Sequence, residues 1–295
     1  MGQILFSTLI FLNFFAFAQA GILPANDSTQ AIYGKDERGF VSRSSSKEIR
    51  QLSSSVAMIV PRDIVEFKLF TALIRGEVLS DKNSLNLCLG EKFSKYHFLN
   101  SCTGFLIAPD LMATAGHCFL SEDDCRNKLV VFDVFEKNET QHGHKVLKNA
   151  VYECKEIVKS EFNSEVLSDY AVIRLNKKIT DRTPLKLNTK GHVNTSDRVF
   201  MIGHPLGLPM IATGNARVIE SNEGNEEHFF KATLDSFEGN SGSPVFNART
   251  LEVEGILVRG EEDFVENGDK QCLQYKTFEE NSGKGESITK IQDIL

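Results

Sequence analysis

The sequence has no surplus of positive charge: 33 Lys and Arg stand against 40 Asp and Glu, a net of −7. A phosphate backbone would find no basic footprint, which argues against nucleic acid as a partner. There is no Cys-x-x-Cys pair, and the His142-Gly143-His144 pair sits in a polar stretch without a nearby cysteine, so no zinc-ligand spacing exists and no metal is expected. No second long apolar run follows the N-terminal one, and neither sustained helical periodicity nor an internal repeat is found. Tryptophan is absent while Phe is abundant at 22, and 41% hydrophobic with 25% charged residues describe a globular chain rather than a disordered or fibrous one.

The first 20 residues are a segment of their own. An apolar run over residues 4–18 ends in Ala18-Gln19-Ala20, the small-x-small pattern of a signal-peptide cleavage site, although no Lys or Arg precedes the run. Residues 1–20 are therefore expected to be a signal peptide cut after Ala20, giving a secreted or periplasmic protein with no membrane span in the mature chain. Six cysteines remain, Cys88, Cys102, Cys118, Cys125, Cys154 and Cys272, and an even number in an exported chain points to disulfides.

Residues 21–55 are polar and serine-rich and read as a pro-segment or N-terminal arm. From Val56 the texture changes. Short runs rich in β-branched and aromatic residues, among them SCTGFLI, KLVVFDVF, DYAVIRL, RVFMIGH and VEGILVRG, recur between turn residues. Many short strands at close spacing predict an all-β, antiparallel sandwich or barrel over residues 56–295. Between Glu252 and Glu286 ten Asp or Glu face four Lys or Arg, the composition of a solvated acidic surface.

Three short stretches carry chemistry. In FEGNSGSP a serine, Ser241, is framed by glycines that permit a tight turn. His117, in TAGHC, follows an apolar strand-like segment and has small neighbours that leave its ring accessible. Asp169 opens DYAVIRL, where a carboxylate can be desolvated against a ring N–H. A nucleophilic serine needs such a base and such an orienting carboxylate. The order His117, Asp169, Ser241 excludes an α/β-hydrolase, because that fold requires a histidine after the serine and the last one here is His228.

TAGHC, DYAVIRL and GNSGSP, in this order in an all-β chain, resemble the chymotrypsin-like serine proteases over about residues 56–295, and GNSGSPVFN is similar to the bacterial glutamyl-endopeptidase-like branch. The resemblance implies two packed six-stranded antiparallel β-barrels with a short C-terminal helix. It implies Ser241 as nucleophile, His117 as general base, Asp169 as its orienting group, and the N–H groups of Gly239 and Ser241 as oxyanion hole. It also implies a Cys102–Cys118 disulfide. By position Cys125 leans to Cys154 and Cys88 to Cys272, with three pairings of those four open. The segment from Ala31 to Arg38 resembles the start of mature chains in that branch, near Ile32 here.

Two positions depart from relatives. Asn240 stands where the animal digestive enzymes have an aspartate that pairs with a new N-terminus, and Leu257 where glutamate-specific members carry a histidine. Asp235 and Ser236 match the pocket floor of the trypsin branch, and Glu286 adds a second acid, which implies substrate binding at these three residues and cleavage of proteins or peptides after Arg or Lys. The alternative for Asp235, implied by the glutamyl-endopeptidase-like branch, is a carboxylate turned away from the pocket as a structural acceptor of backbone hydrogen bonds. The alternatives are a glutamate-specific endopeptidase, a catalytically silent binding module, and a quality-control protease of the HtrA kind suggested by IGHPLG. No cofactor is implied, and the oligomeric state is left open.

Overall fold

The computed structural model describes residues 31–163, 168–191, 193–221, 228–279 and 282–295; the expected signal peptide, residues 1–20, and residues 21–30 lie outside the described residues. Short β-branched runs become strands here because each buries side chains against a closed neighbour rather than presenting a helical stripe. In the first half, Lys128–Val131, Val151–Asn163, Ser168–Leu175, Leu111–Thr114, Cys102–Ala108 and Val56–Pro61 pair in that order, and the last returns to the first. In the second half the ring runs Arg198–Gly203, Pro244–Asn247, Val253–Arg259, Glu286–Lys290, Phe229–Ala232 and Ile211–Glu220, which closes on Arg198–Gly203. Both rings are antiparallel throughout. They are the two expected six-stranded barrels, and closure removes the edges an open sheet would expose.

Phe105, Met112, Phe132 and Ile173 are buried in the first barrel, and Val199, Val218, Phe230 and Ile288 in the second. Leu257 is fully buried in the second core, so the position expected to hold a histidine in glutamate-specific relatives serves packing. The C-terminal helix is a single 3₁₀ turn, Ile291–Ile294, whose two isoleucines pack with first-barrel residues and so tie the barrels together.

The N-terminal arm is built into the body. Ile32–Tyr33 pairs in parallel with Thr277–Phe278, and Gly39–Phe40 adds to the long strand Ile211–Glu220. The helix Lys47–Ser53 follows, its first turn capped by the Ser46 hydroxyl, which accepts from the Ile49 N–H at 3.2 Å. A second addition lies between the first two barrel strands, where residues 62–101 form their own hairpins. Leu79 and Leu87 of this insertion join Ile32, Phe237 and Tyr275 in a separate core. Cys88–Cys272 pins the insertion to a hairpin of the second half, while Cys102–Cys118 and Cys125–Cys154 staple the first barrel. Of the pairings open to the other four cysteines, these are the ones favoured by position.

Candidate active site

His117 stands in the turn Gly116–Cys118, directly after the strand Leu111–Thr114. Glycine is required before it, because a Cβ on Gly116 would lie 2.0 Å from the Glu161 carbonyl oxygen. Asp169 begins the neighbouring strand and is 1% exposed. Its two oxygens both serve the histidine: Oδ1 accepts the His117 backbone N–H at 3.0 Å and Oδ2 faces Nδ1 at 2.8 Å. An ionised carboxylate only accepts, so Nδ1 carries the proton and Nε2 keeps its lone pair. The Asp169 carbonyl in turn accepts from the Thr289 hydroxyl at 3.0 Å, which fixes it to the second barrel.

Ser241 is supplied by the second half. Its carbonyl accepts from Thr103 N–H at 2.8 Å, and the Thr103 hydroxyl donates to the Gly239 carbonyl at 2.9 Å, so a strand of the first barrel holds the serine turn. Gly239 and Gly242 have φ of 92° and 91°, the left-handed region. A Cβ at these glycines would lie 2.7 Å from the His204 carbonyl and 1.9 Å from that of Thr103. Neither the Gly239 nor the Ser241 N–H donates a hydrogen bond among the described residues, so both are available to an anionic oxygen. Asn240 is used inside the turn: its amide donates to Ser236 Oγ at 3.0 Å and its oxygen accepts from Ser243 Oγ at 3.4 Å. Beneath lies the IGHPLG segment, where Leu206 N–H donates to the Glu238 carbonyl and burial pushes His204 down to about 4, leaving it neutral.

The Cys102–Cys118 bridge touches both halves of the site. Its sulfurs and a His117 ring nitrogen lie within 4.8 Å of one another, and Cys118 Sγ is 3.9 Å from the Ser241 carbonyl oxygen. Both thiols are consumed in the disulfide, so this cluster offers no thiolate to a metal. Among the described residues, no hydrogen bond joins the Ser241 hydroxyl to the His117 ring.

The acids expected at the specificity pocket are placed differently from one another. Asp235 is buried, with Oδ1 accepting from Tyr33 N–H at 2.8 Å and Oδ2 from Glu37 N–H at 2.7 Å; burial pushes it up to about 6 against these two bonds. Ser236 donates its N–H to the Ala31 carbonyl at 3.1 Å. Glu286 is fully buried: Oε1 accepts from the Tyr33 hydroxyl at 3.2 Å, while Oε2 has no hydrogen-bond partner. Burial, and then the charge of Asp263, hold Glu286 well above the usual carboxylate range. A Cβ on Gly260 would collide with this carboxylate, so only glycine fits there.

Three participants were not legible in the sequence. Arg259 NH2 lies 3.6 Å from Asp169 Oδ2, the oxygen that faces the histidine ring. Asp263 accepts from the Glu238 N–H at 2.9 Å, has an unpartnered Oδ1, and is raised by burial. Arg38 is buried between the rings of Phe237 and Tyr275, 4.2 Å from each centroid, and paired with Asp36 at 2.9 Å. No local pattern marks any of them, since each gains its role from a partner far along the chain.

The two antiparallel barrels carry the candidate site between them, with His117 and Asp169 on one and the Ser241 turn on the other. The chain belongs to the trypsin-like peptidases: residues 102–256 match the family model described as the trypsin-like peptidase domain. Among solved structures it is similar to the inactive form of the Rv3671c protease, with a TM-score of 0.46 and 16% identity over 84% of this chain and 88% of that one. It is also similar to the active form from M. tuberculosis, with a TM-score of 0.44 and 14% identity over 84% of this chain and 81% of that one. No curated protein matches the sequence.

Proposed function

We propose that this peptidase is a secreted or periplasmic serine endopeptidase cleaving after Arg or Lys. The observation that carries the reading is the double grip of Asp169 on His117, which leaves Nε2 as the free base beside the serine turn. Ser241 Oγ attacks the carbonyl carbon as its proton passes to His117 Nε2, and the negative oxygen that forms is met by the Gly239 and Ser241 N–H groups. The C–N bond then breaks while His117 returns the proton to the leaving amine. Water, deprotonated by the same nitrogen, releases the acyl group. Three disulfides support an oxidising compartment.

Support for a basic residue before the scissile bond comes from Glu286 more than from Asp235. Both oxygens of Asp235 are already engaged by backbone N–H groups, whereas Glu286 Oε2 lacks a donor and feels the charge of Asp263. A Lys or Arg side chain supplies that donor and offsets the repulsion; an anionic one adds to it. Profiling on a mixed peptide library is expected to show Arg or Lys before the cleaved bond, with Glu286→Gln lowering kcat/KM on Arg substrates about a hundredfold. A preference for Glu or small apolar residues, indifferent to Glu286→Gln, overturns this specificity. One observation favours the silent binding module instead: Glu286 is 0% exposed, so the pocket is closed over it. Labelling of Ser241 by a fluorophosphonate supports the enzyme, and a folded protein that takes no label supports the binder.

A further inference from the structure

The turn Phe67-Lys68-Leu69-Phe70 joins the strands Val65–Phe67 and Thr71–Arg75 and turns apolar side chains to solvent. Phe67 is 42% exposed, Leu69 79% and Phe70 74%, and Leu147, ending the adjacent strand Gly143–Leu147, adds a fourth at 62%. The turn is braced: Lys68 N–H donates to the Thr71 carbonyl at 2.8 Å and Lys148 N–H to that of Phe70 at 3.0 Å. The exposure is therefore a feature of an ordered hairpin. Lys177, at the rim of the cluster, lies just beyond the end of the strand that Asp169 opens, so about 25 Å of extended chain separates it from the triad.

Four such side chains expose on the order of 400 Å² of apolar surface. Patches of this size on a monomer are often functional, yet it is only half of the roughly 800 Å² per partner that a stable protein–protein contact buries. An open groove of about 800 Å³ runs beside them, with Lys148 and Lys177 on its border. The Lys148 ammonium lies 5.7 Å from the centre of the Phe67 ring and that of Lys177 4.4 Å from the Tyr152 ring. Neither lysine has an acidic partner among the described residues. The nearby acids are occupied, Glu66 by Lys68 and Arg75, and Glu153 by Arg62 at 2.8 Å. A protruding apolar turn with a basic rim is locally complementary to the interface of a negatively charged bilayer, although the molecule as a whole carries a net charge of −7.

We propose that this hairpin docks the protein on an anionic lipid surface, with Leu69 and Phe70 entering the boundary between headgroups and acyl chains and Lys148 and Lys177 meeting lipid phosphates. Long basic side chains reach a headgroup layer while their stems lie along apolar surface. The test is sedimentation of the exported protein with vesicles of phosphatidylcholine and phosphatidylglycerol in equal parts, compared with phosphatidylcholine alone. The protein is expected to bind the anionic vesicles, more weakly as salt rises, and Leu69→Ser/Phe70→Ser and Lys148→Glu/Lys177→Glu are each expected to lower the partition at least about tenfold. All four side chains are exposed, so both variants should keep the parent's urea midpoint. Equal binding by parent and Leu69→Ser/Phe70→Ser, equal binding to both vesicle types, or no binding at all overturns the proposal. Self-association that disappears in Leu69→Ser/Phe70→Ser, without vesicle binding, would assign the patch to a second copy of the chain.

Discussion

Asp169 Oδ2 faces two groups, the His117 ring N–H and the Arg259 guanidinium. The Arg259 side chain is only 16% exposed, so its charge is not lost to solvent. Arg259→Met is expected to lower kcat about tenfold with KM little changed, while Arg259→Lys stays near the parent, as read from steady-state kinetics. An unchanged kcat in Arg259→Met would show that the contact is idle. For the triad itself, Ser241→Ala and His117→Ala should each remove several orders of magnitude of turnover, with little further loss in the double variant, because either change stops one proton transfer. Near-additive losses in single-turnover rates would mean that the wrong pair has been chosen.

Among the elements, the N-terminal arm is tied to the body a few residues before the serine turn. Asn240 carries no charge to attract a new N-terminus, and instead the Tyr33 and Glu37 N–H groups hold Asp235, six residues before Ser241. Arg38 clamps the same arm against Phe237. Removing one member of a buried ion pair costs about 3–5 kcal/mol, so Arg38→Met should lower the urea midpoint and also activity, and Asp36→Asn added to it should restore part of the stability. A midpoint unchanged by Arg38→Met would show the arm to be dispensable. Of the staples, Cys102–Cys118 spans only 16 residues, worth about 3 kcal/mol in the chain-entropy model, but it lies against His117. Replacing both cysteines by serine should therefore reduce kcat far more than the Cys125 and Cys154 pair of replacements does, and equal losses would deny it a local role.

For the whole molecule, buried acids set an uncommon pH dependence. Asp235 titrates at about 6 in the folded state against an ordinary 3.8, so on raising pH the unfolded chain releases its proton first. Folding then loses stability from about pH 4 to 6, by about 3 kcal/mol in full. Asp263 and Glu286 are raised in the same sense, which carries the fall to higher pH. Glu139 works the other way: burial pushes it up, but His144 and then His97 outweigh this and hold it below the ordinary range, a contribution lost as pH falls. The unfolding midpoint should therefore decline from about pH 5 to neutrality, and Glu286→Gln should flatten the decline. A midpoint that rises across that window in calorimetry would contradict the assignment.

The sequence by itself determined whatever is local. Most barrel strands are short runs of β-branched, aromatic or other apolar residues between turns, and the residues around His117, Asp169 and Ser241 are small, apolar or glycine because turn geometry and desolvation act within a few positions. Cysteine number pointed to disulfides and the family resemblance to Cys102–Cys118, while the pairing of the other four was open until the structure joined Cys125 to Cys154 and Cys88 to Cys272. Only the tertiary structure decided what each buried side chain faces. Asp235 fits either a pocket floor or a structural acceptor of backbone hydrogen bonds by its sequence context, and only the structure shows its oxygens taken by N–H groups 202 and 198 residues away. Arg259 acquires the Asp169 carboxylate from the other barrel, and Arg38 two aromatic rings from distant loops. Nothing in their neighbours along the chain records these partners, because the free energy of a buried charge depends on the groups packed around it in space.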